Sequence, residues 1–163
     1  MSTRSLTAVR INNEYKIAQF GHYDGYPFGY GLYTLFFLET MNRNVFCEKL
    51  KNIRFAINEQ EEDEVFERQR KYDGAEILEY LHNNEDYVVI DNLEFAEDAL
   101  FCEWAYLIDF DENTFEIYSA FRKSKKHENT QPKPGFEKLN LLKKYDLNKL
   151  PSEEEFKDAF DFC

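Results

Sequence analysis

Residues 101–121, FCEWAYLIDFDENTFEIYSAF, decide the fold class because their apolar side chains alternate as in β-strands. Every second residue from 102 to 110 is apolar, so one face of a strand would be continuously apolar. The polar triplet at 111–113 would reverse the chain, and the alternation resumes over residues 115–121. The stretch predicts a β-hairpin whose arms are about twice the usual five or six residues. The apolar face consists of Cys102, Trp104, Tyr106, Ile108 and Phe110.

A second hairpin is predicted at the N-terminus. Residues 6–11 and 14–20 are rich in β-forming residues, and Asn12-Asn13 lies between them. Asparagine tolerates the positive φ angles of a tight two-residue turn. The short apolar run at 87–90 predicts one more buried strand.

Helical periodicity dominates the middle of the chain. Apolar residues at 32, 35 and 36 predict a helix that ends near residue 41, and Asn42 or Asn44 can cap the next helix. Residues 59–70, EQEEDEVFERQR, form either a solvated helix or a mobile loop. Asp73 and Glu76 have the spacing of a capping box ahead of a further short helix.

Strands on both sides of a helical middle indicate an α+β fold, with an antiparallel β-sheet and helices packed on one face. The chain is interpreted as a single domain over residues 1–163. Residues 123–135 contain two prolines and many polar residues, which predicts a flexible connection. A C-terminal helical tail is expected over 136–163, where Ser152 precedes three glutamates and can cap the last helix.

Composition excludes several classes of protein. Twenty Lys and Arg against 32 Asp and Glu give a net charge of -12, so direct binding to nucleic acid or to an acidic membrane is not expected. The longest apolar run, residues 32–38, is too short to cross a bilayer, and no signal peptide is recognisable. A cytoplasmic protein is therefore expected, which means the host cytoplasm if a phage encodes it.

Cysteine and histidine spacing gives no pattern for a metal or a disulfide framework. Cys47, Cys102 and Cys163 are odd in number and far apart, and no C-x-x-C pair occurs. No metal site and no cofactor are predicted.

The charge is unevenly distributed along the chain, because residues 1–54 carry +3 and the remainder carries -15. An anion would therefore be held in the first third of the chain.

The least ordinary stretch is residues 21–31, GHYDGYPFGYG, with four glycines, one proline and four aromatic residues. This composition excludes a regular helix or strand and predicts a structured loop. Glycines allow close approach of a ligand, the following helix offers free N–H groups, and the rings offer stacking faces. These are suitable parts for binding an aromatic anion such as a nucleotide. The alternative is a turn whose aromatic side chains close the end of the core.

Two short motifs, TRSL at 3–6 and YDGYP at 23–27 followed by Gly29 and Gly31, resemble a family of small uncharacterised proteins of phages, prophages and diverse bacteria. Members begin with Thr-Arg-Gly or Thr-Arg-Ser and carry a loop of the form aromatic-Asp-Gly-Tyr-Pro-x-Gly-x-Gly. The stretch 101–118 is similar to their C-terminal hairpin, so the resemblance covers about residues 3–121. It implies a phage setting, in which small proteins interfere with host defence pathways that signal through nucleotide derivatives.

The resemblance also marks a ligand-binding site. Arg4 would clamp a phosphate, because its planar guanidinium can hold two oxygens at once. Asp24 would accept hydrogen bonds from a ribose or a base amine, or else cap the amides of its own loop. Glu103 and Asp109 share a strand face, where they are paired with Lys or Arg, are solvated, or form a general acid–base pair. The predicted ligand-binding residues are Thr3, Arg4, His22, Tyr23, Asp24, Gly25, Tyr26, Pro27, Gly29 and Gly31.

The leading hypothesis is a phage-type counter-defence protein that binds and sequesters a small nucleotide-derived immune signal without turnover. One alternative is an acidic inhibitor, in which the portion with a charge of -15 imitates nucleic acid and occupies a basic groove of a host defence protein. The acidic run at 59–67 supports this alternative. Another is a small hydrolase of a nucleotide signal, using Asp24, His22 and Glu103, or the amine of Ser2. The 28 aromatic residues exceed the needs of such a core, which predicts a homodimer.

Overall fold

A computed structural model describes residues 3–122 and 131–161, and these residues adopt an α+β fold. The Asn12-Asn13 turn forms as predicted, with φ angles of 54° and 62°. The strands are β1 (Ser5–Ile11), β2 (Glu14–Gly21), β3 (Arg54–Phe55), β4 (Val88–Val89), β5 (Trp104–Asp109), β6 (Thr114–Ser119) and β7 (Asn140–Asp146). The helices are α1 (Leu32–Thr40), α2 (Arg43–Asn52), α3 (Glu59–Gln69), α4 (Glu76–Asn83) and α5 (Glu153–Ala159).

The main sheet has five strands in the order β2-β1-β5-β6-β7, and β3 pairs with β4 in a separate small sheet. Three neighbouring pairs of the main sheet are antiparallel, whereas β1 and β5 run parallel. β2 pairs with one edge of β1 and leaves the other edge free. The chain then passes through four helices before β5 pairs with that free edge. The predicted antiparallel sheet is thus correct except at this central pair.

Helices cover one face of the sheet, as predicted. Alternate residues of the central strands meet apolar residues of α1, α2, α4 and α5 in one buried cluster. Asn42 caps α2 by accepting a hydrogen bond from the Val45 amide. The sheet contributes Val9, Ile17, Tyr106, Ile108 and Ile117, and the helices contribute Leu35, Phe46, Leu50, Leu78 and Phe156.

The opposite face of the sheet is also buried. A short 3₁₀ helix (Leu93–Glu97) and the segment 131–139 lie across it, and their apolar residues form a second cluster with the strands. Leu107 and Tyr118 of the sheet and Phe136 of the segment have no exposed surface. Because both faces are covered, every residue of β5 and β6 is buried.

The hairpin that decided the fold class has shorter arms than predicted. β5 and β6 contain six residues each, because the chain turns before Trp104. In this turn the Asp98 carboxylate accepts hydrogen bonds from the amides of Leu100 and Phe101, and its carbonyl accepts one from Cys102. Cys102 therefore leaves the predicted apolar face and joins the cluster on the other side of the sheet.

The C-terminal region differs from the expected helical tail. Asn140–Asp146 form β7, which pairs with the free edge of β6 and satisfies its backbone hydrogen-bonding groups. The predicted last helix does form, and Ser152 and Glu155 make its capping box. Of the predicted flexible connection, residues 123–130 lie outside the described residues, and Lys133 is buried. Within the two described ranges, no helix has the length and apolarity that crossing a membrane requires.

Candidate ligand-binding cavity

The N-terminus and the glycine-rich loop meet at one end of the sheet. Pairing of β1 with β2 places Ser5 opposite Gly21, so residues on either side of this pair are neighbours in space. The Gly25 amide donates a 3.0 Å hydrogen bond to the Thr3 carbonyl, and the buried Tyr106 hydroxyl donates one of 2.6 Å to the Gly25 carbonyl. The structure thus brings Thr3 together with the predicted loop, through backbone contacts.

Part of the loop is helical, contrary to the prediction. Pro27–Gly31 form one turn of π-helix that leads directly into α1. Asp24 has a φ of 53°, and its carbonyl accepts a 2.8 Å hydrogen bond from the Tyr30 amide. A Cβ atom on Gly29 would lie 2.2 Å from that carbonyl oxygen, so the tight turn requires glycine. The Leu32 amide bonds to carbonyls within the turn, so it is not free for an anion as expected.

The polar and aromatic side chains of the predicted site lie mostly at the surface. Arg4 is exposed, and its guanidinium lies 5.2 Å from the ring centre of Phe101. The Asp24 carboxylate is exposed and accepts a 3.3 Å hydrogen bond from the Tyr26 hydroxyl. Tyr23 and Phe28 are also exposed, whereas Gly25, Pro27 and Gly31 are buried.

Asp73 organises the other side of the loop, and its predicted role as a helix cap is wrong. Its carboxylate accepts hydrogen bonds from the backbone amides of His22 and Tyr23 and from the Tyr30 hydroxyl. Helix α4 instead begins after Ala75 without a side-chain cap. Burial, together with hydrogen bonds to Glu76 and Asp73, raises the pKa of Tyr30 well above its usual value, so its hydroxyl stays protonated.

Asp73 also orients the His22 ring. His22 Nδ1 lies 2.8 Å from Asp73 Oδ1, which assigns a proton to Nδ1 because the carboxylate is an acceptor. Nε2 makes no hydrogen bond within the described part of the chain, and the His22 side chain is 61% exposed. His22 thus presents Nε2 to solvent in a fixed orientation.

A cavity of about 310 Å³ lies beside this histidine. The last residues of β2, the C-terminal turn of α3 and the residues after β4 enclose it. Its lining consists of Gln19, Phe20, His22, Phe66, Gln69, Arg70, Tyr72, Asp73, Ile90 and Asn92. Of the residues predicted to bind a ligand, His22 is the one that the structure places in this lining.

Arg70 places one cationic group in the cavity lining, which also holds the Asp73 carboxylate. Two nearby arginines are neutralised, since Arg54 pairs with Glu61 and Arg68 with Asp86. Arg70 is exposed and has no acidic partner among residues 3–122 and 131–161. In a chain with a net charge of -12, an unpaired arginine at a concave site favours an anionic ligand.

Aromatic rings lie next to this charge. Phe66 is one helical turn before Arg70 on α3 and is 53% exposed. Phe20 contacts His22 edge to face, with 4.5 Å between ring centres, and Tyr72 stacks on Tyr80 at 4.4 Å. The cavity therefore combines ring surfaces with a cationic group, which suits an aromatic anion.

Asp86 fixes the part of α3 that carries these groups. It accepts hydrogen bonds from Arg68 at 3.1 Å, from Gln69 at 3.1 Å and from the Tyr80 hydroxyl at 2.8 Å. Burial raises the pKa of Asp86, but these donors outweigh burial and hold it below its usual value. The network ties α3 to α4 and thereby positions Phe66 and Arg70.

Sequence reasoning missed Gln69, Arg70 and Asp73 as parts of a site. Residues 59–70 read as a solvated segment because two apolar side chains stand among eight charged ones. One available signal was Phe66, which lies four residues before Arg70 and so shares a helix face with it. No local pattern shows that this face meets the end of β2.

A second polar cluster lies on the face of the sheet that the 3₁₀ helix and the segment 131–139 cover. Carboxylate oxygens of Asp109, Glu112 and Glu116 lie within 4.8 Å of one another, as in a metal site. The Lys133 ammonium lies 3.2 Å from Asp109 and 2.9 Å from Glu112 and also contacts Glu116, so a cation of the chain itself is among them. Asp109 pairs with Arg10 and Lys133, and within residues 3–122 and 131–161 it makes no hydrogen bond or ion pair with Glu103. No contact therefore supports pairing the two carboxylates as acid and base.

Comparisons of the chain with models of protein families, with curated proteins and with solved structures gave no match. The chemistry of the cavity therefore rests on its own residues.

Proposed function

We propose that the protein binds and sequesters a small nucleotide-derived ligand in the cavity beside His22. The observation that carries the proposal is the unpaired Arg70 next to the exposed ring of Phe66, in a chain otherwise rich in acidic residues. A guanidinium recognises phosphate oxygens, and an aromatic ring stacks on a nucleobase.

The contributions of these groups suit reversible but selective binding. Stacking of one base on an aromatic side chain contributes about 1–3 kcal/mol, and a hydrogen bond to a charged group about 1.5–3 kcal/mol. His22 adds a fixed Nε2 at the rim, oriented by Asp73. Tyr23, whose ring centre lies 5.8 Å from that of His22, extends the aromatic surface towards the predicted loop.

The biological setting of the proposal comes from the resemblance carried by TRSL at 3–6 and YDGYP at 23–27. A phage protein that holds a nucleotide-derived immune signal would lower its free concentration and so protect the phage. Sequestration without turnover requires that the ligand leave the protein chemically intact.

The test is to incubate the purified protein with a cell extract rich in nucleotide signals, wash it, denature it and identify released molecules by mass spectrometry. We expect an intact, stoichiometric nucleotide-derived compound. Arg70→Ala should reduce its affinity by about ten- to a hundredfold, because a charge-assisted contact is lost. Arg4→Ala is the matched control, since Arg4 is an exposed arginine outside the cavity lining.

Three outcomes are informative. Retention by Arg70→Ala and loss in Arg4→Ala would move the site to the N-terminal motif. Release of a cleaved product, increasing with time, would favour the hydrolase. In a hydrolase of this kind, Asp73 would be the carboxylate that orients His22. Within the described residues, neither Asp24 nor Glu103 hydrogen-bonds to His22. An empty protein would contradict ligand binding.

A specific observation favours the acidic inhibitor as a second candidate. Helix α3 exposes five carboxylates that make no ion pair within the described ranges. They are Glu59, Glu62, Asp63, Glu64 and Glu67. Capture of a basic host protein, abolished when these residues are replaced by glutamine, would support it.

The expected homodimer also stays a proposal, for which the exposed rings of Tyr23, Phe28 and Phe101 offer apolar surface.

A further inference from the structure

We infer that His22 Nε2 is a phosphoryl-acceptor site, which takes a phosphoryl group from a phosphoramidate, a donor with a phosphorus–nitrogen bond. This inference goes beyond the proposed function and does not depend on it. It is carried by the hydrogen bond that fixes the imidazole ring, by the exposure of the ring and by the carboxylate beside it.

The hydrogen bond to Asp73 decides which ring nitrogen of His22 carries a lone pair. In neutral imidazole one nitrogen carries the proton and the other is an acceptor. Nδ1 lies 2.8 Å from Asp73 Oδ1 and therefore carries the proton. Nε2 is then the nitrogen with the free lone pair, which is the atom that can attack phosphorus.

This lone pair is accessible. Nε2 makes no hydrogen bond within residues 3–122 and 131–161, and the His22 side chain is 61% exposed. The second histidine of these ranges differs, because His82 Nε2 accepts a 3.1 Å hydrogen bond from the Asn42 amide. His82 Nδ1 lies 2.9 Å from Asn83 Oδ1, so both of its ring nitrogens are engaged. His82 therefore serves as an internal control for His22.

Ring contacts and hydrogen bonds hold the nucleophile in place. The Phe20 ring contacts the His22 ring edge to face, with 4.5 Å between ring centres. The Asp73 carboxylate is itself fixed, because it accepts hydrogen bonds from the amides of residues 22 and 23 and from the Tyr30 hydroxyl. A reacting group that is already oriented loses less freedom on reaching the transition state.

The reaction is a balanced phosphoryl transfer. The Nε2 lone pair attacks phosphorus and forms the Nε2–P bond, while the P–N bond of the donor breaks. The bonding electrons leave with the donor nitrogen, which is already protonated and departs as the neutral amine. The Nδ1 proton stays on the ring, so the product is a phosphorylated imidazolium. Asp73 faces this N–H, and its negative charge stabilises the cation that forms.

The experiment treats the full chain with potassium phosphoramidate near neutral pH. Peptide mass spectrometry with electron-transfer fragmentation assigns the phosphoryl group to a histidine, and phosphorus NMR distinguishes linkage through Nε2 from linkage through Nδ1. We expect phosphorylation of His22 on Nε2. It should proceed about tenfold faster than phosphorylation of His82, because His82 must first break a hydrogen bond.

Two variants test the two residues separately. His22→Ala should lose the phosphoryl group at this position and keep the fold, because residue 22 still bonds to Asp73 through its backbone amide. Asp73→Asn keeps an acceptor for Nδ1 but removes the negative charge, so it should slow phosphorylation about tenfold. The orientation of the ring would also be less strictly fixed, so we expect Nδ1-linked product beside the Nε2-linked one.

Circular dichroism checks that Asp73→Asn folds. If it does not fold, the comparison of His22 with His82 and the linkage on the unmodified chain still decide. Phosphorylation of His82 at a similar rate, linkage through Nδ1 of His22, or absence of a phosphoryl group from His22 would each overturn the inference. The extract experiment is read from the intact ligand that it releases, so the proposed function stands or fails separately.

Discussion

At the scale of single residues, Lys133 shows how a polar group can stabilise a buried face. Its side chain is 9% exposed and lies among Asp109, Glu112 and Glu116. Burial by itself lowers the pKa of a lysine, but these carboxylates raise the pKa of Lys133 above its usual value. The ammonium therefore stays charged at neutral pH and fastens the segment 131–139 to the sheet.

Lys133→Met should destabilise the protein strongly, because two buried carboxylates would lose a cationic partner. The expected loss in the free energy of unfolding is about 3–5 kcal/mol, measured by urea denaturation. Lys144→Met is the control, since Lys144 is 38% exposed and, among the acidic groups of the described residues, pairs with the half-exposed Glu112. That control should cost less than about 1 kcal/mol. Similar losses in the two variants would refute the role of Lys133.

At the scale of elements, helix α3 is held by polar contacts more than by an apolar stripe. Val65 and Gln69 are its buried residues, and Asp86 accepts hydrogen bonds from Arg68 and Gln69. Asn58 caps its N-terminus by accepting from the Glu61 amide. Because α3 carries Phe66 and Arg70 is its C-cap, the geometry of the cavity depends on this attachment.

Stability should depend on pH through Asp86. Its pKa in the fold is below the usual value of 3.8, so folding favours the carboxylate form. The contribution to stability is complete above pH 3.8 and is lost as the pH falls through the lower, folded-state pKa. Compared with the unmodified chain, Asp86→Asn should unfold at lower urea concentration at pH 7, and this difference should shrink below pH 4. A difference that is independent of pH down to 2 would contradict this role.

At the scale of the whole molecule, the two faces of the sheet are buried by different means. Helices α1, α2, α4 and α5 cover one face, and the 3₁₀ helix with the segment 131–139 covers the other. Strands β1, β5 and β6 each have a neighbouring strand on both sides. Their amides are therefore the least accessible part of the sheet.

Native-state hydrogen exchange should reflect this arrangement. We expect the slowest exchange for the amides of β1, β5 and β6, faster exchange for β7, and the fastest for the two-residue strands β3 and β4. Mass spectrometry of peptides resolves these segments. Protection of β3–β4 equal to that of β5 would show that the small sheet unfolds only with the whole molecule.

The candidate site was partly predictable. The glycine-rich loop indicated unusual backbone geometry, and Gly29 and Asp24 indeed form a tight turn. The resemblance marked Thr3 and Gly25 as parts of one site, and a backbone hydrogen bond joins the two residues. Arg70 could not be assigned, because a charged residue at a helix end is usually solvated. Its position at the end of β2 depends on packing between distant segments.

The sequence by itself determined the α+β class, the N-terminal hairpin and the main helices, because these follow from periodicity and turn chemistry within a few residues. Tertiary structure alone decided the parallel pairing of β1 with β5, since both faces of both strands are buried and no alternation distinguishes a partner or a direction. It also decided the site. Asp73 has the spacing of a cap, yet the amides of His22 and Tyr23 come within its reach only after the chain has folded.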